Sequence, residues 1–321
     1  MLRVYPTQWV FEEPMELKGM RRYPGQPSSF DTSRITKIFV SSEMDFEACY
    51  EISNIRAGGD VEEISSEGFL PFIDKFGQYK HAEWVGKPDS AADMKKALEK
   101  ERVDLAEHGG PEGWNKFGGW SGGPKLEASG SFRVEKYKGK WWFVDPAGNL
   151  FWSHGIDCVW SGVRTAVNGR EDYFEYLPEK DSELGNFYKR YGERYTYDFG
   201  GANMLAKYGD GWREEYKRNS HVRLRSWGLN TIGNWSDSAV YRMGKTAYVK
   251  TVSNGSFDIE GSKPWNFPDV FAEEFEDTLR KNLEDDPSSS DPWCIGFFVD
   301  NELAWGGDTS LGESTLKSGA D

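Results

Sequence analysis

From about residue 150 onward the sequence predicts an α/β fold, with parallel strands joined by crossover helices. Strand-like and helix-like segments alternate as far as residue 301, giving four strands with helical segments between them. Each strand-like run ends in polar residues, at the end where open α/β sheets and (β/α)8 barrels both carry their sites. No G-x-G-x-x-G follows the first strand and no G-x-x-x-x-G-K-[S/T] occurs, so a dinucleotide fold is not expected and a P-loop is excluded.

Residues 1 to about 34 read as irregular, punctuated by Pro6, Pro14, Pro24 and Pro27. ITKIFVSS (35–42) and FEACYEISNIRAGG (46–59) read as two strands of a small β unit. Two strands are not stable alone in water, so these need a further partner. A helix is expected over about 90–107, because Ser90 and Asp93 form an N-terminal cap and Gly109-Gly110 a stop. Its apolar stripe, Met94, Ala97, Leu98 and Leu105, is thin.

SFRVEKY, the turn Lys138-Gly139 and KWWFV read as a hairpin, and Asp145-Pro146-Ala147-Gly148 as a second turn. The first strand of the α/β region is expected over about 150–158, within NLFWSHGIDCVW, with His154 and Asp157 near its carboxyl end. An insertion over about 161–210 obeys no pattern rule. A helix follows over 212–228 and stops at Gly228, and a strand over 229–234 ends at Asn234 and Trp235. Asp237 to Arg242 suits a short helix, and 247–252 the third strand. Val270, Phe271, Phe275, Leu279 and Leu283 recur at near-helical spacing over 268–286, and the fourth strand runs over 294–301. Three regions result: 1–65, the end of a β-sandwich-like region; 66–130, a linker with one helix; and 131–321, the α/β region.

The 321 residues are 37% hydrophobic and 15% aromatic, which suits a globular core. Fourteen Trp and fifteen Tyr have two readings, large aromatic cores or rings that stack on pyranose faces. A net charge of −14 disfavours nucleic acid and anionic membrane surfaces as partners. It also suits a neutral polysaccharide better than a strongly sulfated one, unless a local patch overrides it. Cys49, Cys158 and Cys294 are scattered and lack C-x-x-C, so buried free thiols are expected rather than a disulfide framework. No metal or cofactor is expected, because the four His are widely spaced and lack H-x-x-x-H. No run of eighteen apolar residues suggests a membrane span, and the first residues lack the apolar core of a signal peptide.

CIGFFVDNELAWG (294–306) holds the sharpest candidate, Glu302. Phe297-Phe298-Val299 reads as an interior strand buried on both faces, which puts Asp300-Asn301-Glu302 at its carboxyl end. Apolar neighbours such as Phe298 and Trp305 disfavour a charged carboxylate, the property a general acid at neutral pH needs. Asn301 is placed to hydrogen-bond a substrate hydroxyl. The competing reading makes Glu302 a helix cap. His154 and Asp157, three residues apart, are either substrate-orienting or structural. For Asn234 and Trp235, ligand-facing and turn-packing roles are equally open.

Five blocks then carry a resemblance: residues 76–87 (FGQYKHAEWVGK), 117–160, 170–178 (REDYFEYLP), 223–237 (RLRSWGLNTIGNWSD) and 291–306 (DPWCIGFFVDNELAWG). In this order they resemble the β-agarase-type glycoside hydrolases of family 50, in the clan of (β/α)8 retaining glycosidases. The resemblance covers roughly residues 35–321. It implies a carbohydrate-binding-like β-sandwich ahead of a (β/α)8 barrel, a secreted or periplasmic location for a complete member, and a β-linked galactan such as agarose as substrate. It also implies that Glu302, after Asn301 at the end of the fourth barrel strand, is the acid/base, with Trp305 bordering the sugar site. The nucleophile would be a second Glu, on the seventh strand.

Only four barrel strands can be counted here, and nineteen residues follow Glu302. A complete barrel takes ~250 residues, whereas 150–321 gives 172. The nucleophile is therefore expected outside this chain, and association with a second copy or with a missing C-terminal half is expected. The alternative reading is a non-catalytic carbohydrate-binding or structural remnant. Another clan member such as a β-galactosidase would share Asn-Glu but leave the 117–160 block unexplained.

Overall fold

A computed structural model of the chain describes residues 10–11, 63–255, 258–259, 267–306 and 309–318. The strands expected at 35–42 and 46–59, Cys49 and the proline-punctuated start lie outside the described residues. In chain order the strands are β1 (Val10–Phe11), β2 (Glu63–Ile64), β3 (Arg133–Tyr137), β4 (Lys140–Val144), β5 (Leu150–Phe151), β6 (Gly155–Ile156), β7 (Arg164–Ala166), β8 (Tyr188–Tyr191), β9 (Arg194–Asp198), β10 (Thr231–Ile232), β11 (Ala247–Val252) and β12 (Cys294–Val299). The helices are α1 (Ala91–Glu107), α2 (Phe199–Tyr208), α3 (Trp212–Ser226), α4 (Ser238–Tyr241), α5 (Glu273–Glu284) and α6 (Ser310–Ser318). Contacts divide the chain into two compact units, Met1–Pro88 with Gly162–Asn203, and Asp89–Ser161 with Met204–Asp321.

In the first unit β1 and β2 pair in parallel. The insertion, for which the sequence offered no pattern, forms an antiparallel sheet in the order β7-β9-β8. Buried Tyr197 anchors it, with the Tyr188 ring 4.9 Å away and the Phe199 ring 4.7 Å away.

The second unit carries the expected elements. At the start of α1, the Ser90 hydroxyl accepts the Asp93 backbone N–H at 3.2 Å and donates to the Asp93 carboxylate at 2.6 Å, and Met94 and Leu98 are buried. β3 and β4 form the predicted hairpin. Lys138 (φ 47) and Gly139 (φ 82) both take the left-handed conformation, which matches the twist of a two-residue turn to that of the strands. The second turn is held by fully buried Asp145, whose Oδ1 accepts the backbone N–H of Ala147 and of Asn149, each at 2.9 Å. The Asn115 amide donates to the other oxygen at 2.5 Å and so ties the 115–119 loop to this turn.

The strand expected over 150–158 is two strands. β5 pairs antiparallel with β4, whereas β6 pairs in parallel with β10. Asn230 makes the break: its amide donates to the Trp152 carbonyl at 2.9 Å and its side-chain oxygen accepts the His154 N–H at 2.9 Å, which uses up the ladder bonds between them.

β6, β10, β11 and β12 form one parallel sheet in sequential order. Ile232 and Tyr248 are fully buried on its helix-facing side, against Tyr216 and Leu224 of α3 and Val240 and Tyr241 of α4. The rings of Tyr241 and Tyr248 stack at 4.5 Å. β12 corrects the expectation of an interior strand, because Phe298 is 56% and Val299 45% exposed. The cause is topological: among the described residues β12 pairs only with β11 and is an edge. α5 begins at Glu273 rather than near 268, since Asp269 turns the chain by accepting the Phe271 N–H at 2.9 Å. Cys294 is buried as expected, but Cys158 is exposed; both are free thiols. Burial pushes the Cys294 thiol up to about 11. Among the described residues no helix is long and apolar enough to cross a membrane.

Candidate active site at the strand exits

The carboxyl ends of the four parallel strands are joined in pairs by one repeated device. Asp157, the first residue after β6, accepts the backbone N–H of Asn234, two residues past β10, at 2.8 Å. Asp300, the first residue after β12, accepts the backbone N–H of Asn254, two residues past β11, at 3.0 Å. The Asn254 side-chain amide also donates to the second Asp300 oxygen, and the Asp300 N–H returns to the Val252 carbonyl at 2.9 Å. Each carboxylate thus closes a turn that the ladder would leave open. Gly233 is required between them, because a Cβ there would stand 2.0 Å from the Asp157 carboxylate.

Backbone strain gathers at the same exits. Cys158, Trp235, Asp300 and Glu302 all have positive φ, between 47° and 59°. This left-handed conformation is costly for side chains other than Gly, and such residues cluster at functional sites. Here the aspartate bridges hold the neighbouring backbone and so fix the conformation. Glu302, Asn301, Trp235 and Trp305 are exposed. The Trp305 ring rests against Phe267, with centroids 4.5 Å apart. The Asn234 side-chain oxygen is buried without a hydrogen-bond partner among the described residues, so it is an acceptor that a ligand hydroxyl can satisfy. Exposed aromatic faces beside hydrogen-bonding groups and a free carboxylate can hold a sugar and protonate a glycosidic oxygen. Among the described residues no three His, Cys, Asp or Glu side chains gather as metal ligands.

No family model matches the chain. Over 318 aligned residues it is 31% identical to β-agarase B of Vibrio sp. (strain JT0107), a match that covers 87% of this chain and 33% of that protein. The crystal structure of an agarase, AgWH50C, superposes with a TM-score of 0.68 at 28% identity, covering 77% of this chain and 41% of that one. The structure of PfGH50B gives 0.67 at 28% identity, over 79% and 42%. The chain is of the GH50 agarase type. It spans about a third of the length of the curated relatives it matches.

In this GH50-type chain the strand exits bring together most of the residues singled out from sequence. Asp157 and Asn234 touch directly, while Asn301, Glu302 and Trp305 follow β12 in one loop. The enclosed setting expected for Glu302 is not formed, because the edge position of β12 leaves Phe298, Glu302 and Trp305 all exposed. His154 lies at the opposite end of β6 from Asp157. It precedes the strand, and its Nδ1 sits 3.3 Å from the Gly228 carbonyl, where the connection from α3 enters β10. Asn254 and the bridging role of Asp300 were not singled out. The available signal was a polar residue two positions past each strand, Asn234 after β10 and Asn254 after β11.

Proposed function

We propose that this GH50-type chain supplies the acid/base side of a retaining hydrolase that acts on a β-linked galactan such as agarose or its oligosaccharides. The observation carrying this reading is the placement of Glu302, an exposed carboxylate at the exit of the fourth parallel strand, two residues past bridged Asp300. The four strands in sequential order are read as the first four units of a (β/α)8 barrel, whose sites lie at that end. Glu302 protonates the leaving glycosidic oxygen and later deprotonates the water that releases the product. The nucleophilic carboxylate, which retaining chemistry puts ~5–5.5 Å from the acid, comes from outside this chain. Asn301 and Asn234 hydrogen-bond sugar hydroxyls, Trp235 and Trp305 stack on sugar faces, and Asp157 positions Asn234. His154 is read as structural. The free edge of β12 is where a second copy, or the remainder of such a protein, adds a strand.

A chemical rescue tests the reading. With an aryl β-galactoside, azide can stand in for the absent nucleophile: it attacks the anomeric carbon as the C–O bond to the aryl group breaks, and Glu302 protonates the departing oxygen. Azide-dependent aryl release is expected, falling ~10²-fold or more in Glu302→Gln. Equal rates in the two proteins remove Glu302 from the mechanism. Calorimetry with neoagaro-oligosaccharides tests the substrate class independently: binding weakened by Trp235→Ala supports it, and absence of binding overturns it.

A further inference from the structure

The β3–β4 hairpin carries a feature that the strand-exit site does not use. Directly paired residues of an antiparallel ladder share one face. Val134 faces Phe143 and Lys136 faces Trp141, so these four side chains lie together, whereas the opposite face includes fully buried Val144. The first face is therefore the solvent face, where alternation calls for polar residues. Instead Val134 is 58%, Trp141 70% and Phe143 38% exposed.

Charge adds a second, independent observation. Across 133–144, Arg133, Lys136, Lys138 and Lys140 against Glu135 give a net +3, in a chain of net −14. Arg133 pairs with Glu135 at 2.7 Å, but none of the three lysines forms an ion pair among the described residues. The Lys136 ammonium sits 5.8 Å from the centre of the Trp141 ring, which places a cation beside an exposed aromatic face. The hairpin also stands away from the strand exits. β5 leads through Trp152 and His154 to the amino end of β6, whereas Asp157 and Glu302 follow the carboxyl ends.

We propose that this face is a second polysaccharide-binding surface, which takes a galactan segment bearing sulfate esters. The Trp141 ring stacks on the apolar face of a sugar, and Lys136 beside it and Lys138 in the adjoining turn pair with its sulfates. Size favours a linear polymer over a protein. Two five-residue strands span ~17 Å, so the face offers roughly a few hundred Å2, below the ~800 Å2 per partner of a stable protein interface. The choice of a galactan rests on the function proposed above; the anionic, ring-stacking character of the ligand rests on the hairpin alone.

Affinity electrophoresis tests this with the intact chain in native gels containing κ-carrageenan, neutral agarose or no polymer. Retardation by carrageenan is expected, weakened roughly tenfold in apparent affinity by Trp141→Ala. The double variant Lys136→Ala, Lys138→Ala is expected to lose about tenfold on carrageenan with little change on agarose. Added salt should weaken the carrageenan interaction. Circular dichroism melts identify any variant that fails to fold, and Trp141→Phe, which keeps a ring, should then restore most of the retardation. Absence of retardation by carrageenan overturns the proposal, as does unchanged retardation of a folded Trp141→Ala. Equal retardation by single-stranded DNA would show a general polyanion surface and also overturn it. If Trp141→Ala loses carrageenan but keeps azide-dependent chemistry at Glu302, both readings stand; absence of that chemistry in the unaltered chain removes the proposed function and with it the choice of a galactan, while retardation by carrageenan still decides the anionic, ring-stacking surface.

Discussion

The carboxylate of Asp300 accepts both the backbone N–H and the side-chain amide of Asn254, and so joins the exits of β11 and β12. Asp157 makes the shorter form of the same bridge to Asn234. Because Asn254 is buried and would lose two charged hydrogen bonds, Asp300→Ala should cost ~2–3 kcal/mol in urea unfolding. Exposed Asp157, with one such bond, should cost ~1 kcal/mol. The two bridges share no partner, so the double variant should match the sum to within ~0.5 kcal/mol. A larger loss from Asp157→Ala than from Asp300→Ala would contradict the bridge geometry.

His221 supplies a pH dependence. It is 5% exposed within α3, with Nδ1 2.8 Å from the Thr246 hydroxyl and Nε2 3.1 Å from the Val240 carbonyl. Burial pushes its pKa down to about 4 from an ordinary value of 6.5. The folded state thus holds the neutral ring while the unfolded chain takes up a proton. Stability is fully present above pH 6.5 and is lost as pH falls towards 4, by ~3 kcal/mol over that window. Unfolding curves between pH 7.5 and 4 should show this slope and its flattening in His221→Gln. An unchanged slope in the variant would assign the effect to other groups.

Glu101 of α1 should set a second, more acidic arm. Its carboxylate accepts from Lys207 at 2.8 Å, from the Tyr208 hydroxyl at 2.9 Å and from Arg223. Burial raises its pKa, but the Lys207 hydrogen bond and the Arg223 and Lys207 charges outweigh burial and hold the carboxyl below its usual 4.5. The stability it contributes is present above 4.5 and lost as pH falls below it. Glu101→Gln leaves two half-buried cations against a neutral amide, at a cost of about 2 kcal/mol at pH 7. The same substitution should leave the His221 arm in place and flatten the curve below pH 4.5. Thermal melts across both windows check this, and a neutral Glu101→Gln at pH 7 would refute the role of the network.

Several parts of this chain were legible from short stretches alone. The Ser90–Asp93 cap, the Lys138-Gly139 and Asp145–Gly148 turns, the helix that stops before Gly228 and the short helix at Asp237 all formed where read. Each depends on residues a few positions apart, whose φ preferences and side-chain bonds act within one turn. The alternation of strands and helices likewise announced the parallel sheet, and the polar residue after each strand marked its exit.

Tertiary structure decided what depends on distant residues. Asn230 splits 150–158 into strands of two different sheets and leaves His154 before β6. Tyr197 organises an insertion that carries no periodic signal. Edge position exposes Phe298 and Val299, although their apolar run suits an interior strand equally well. The bridges that shape the candidate site join positions 77 and 46 residues apart. A sequence displays such partners only once the sheet register has brought them within a hydrogen bond of each other.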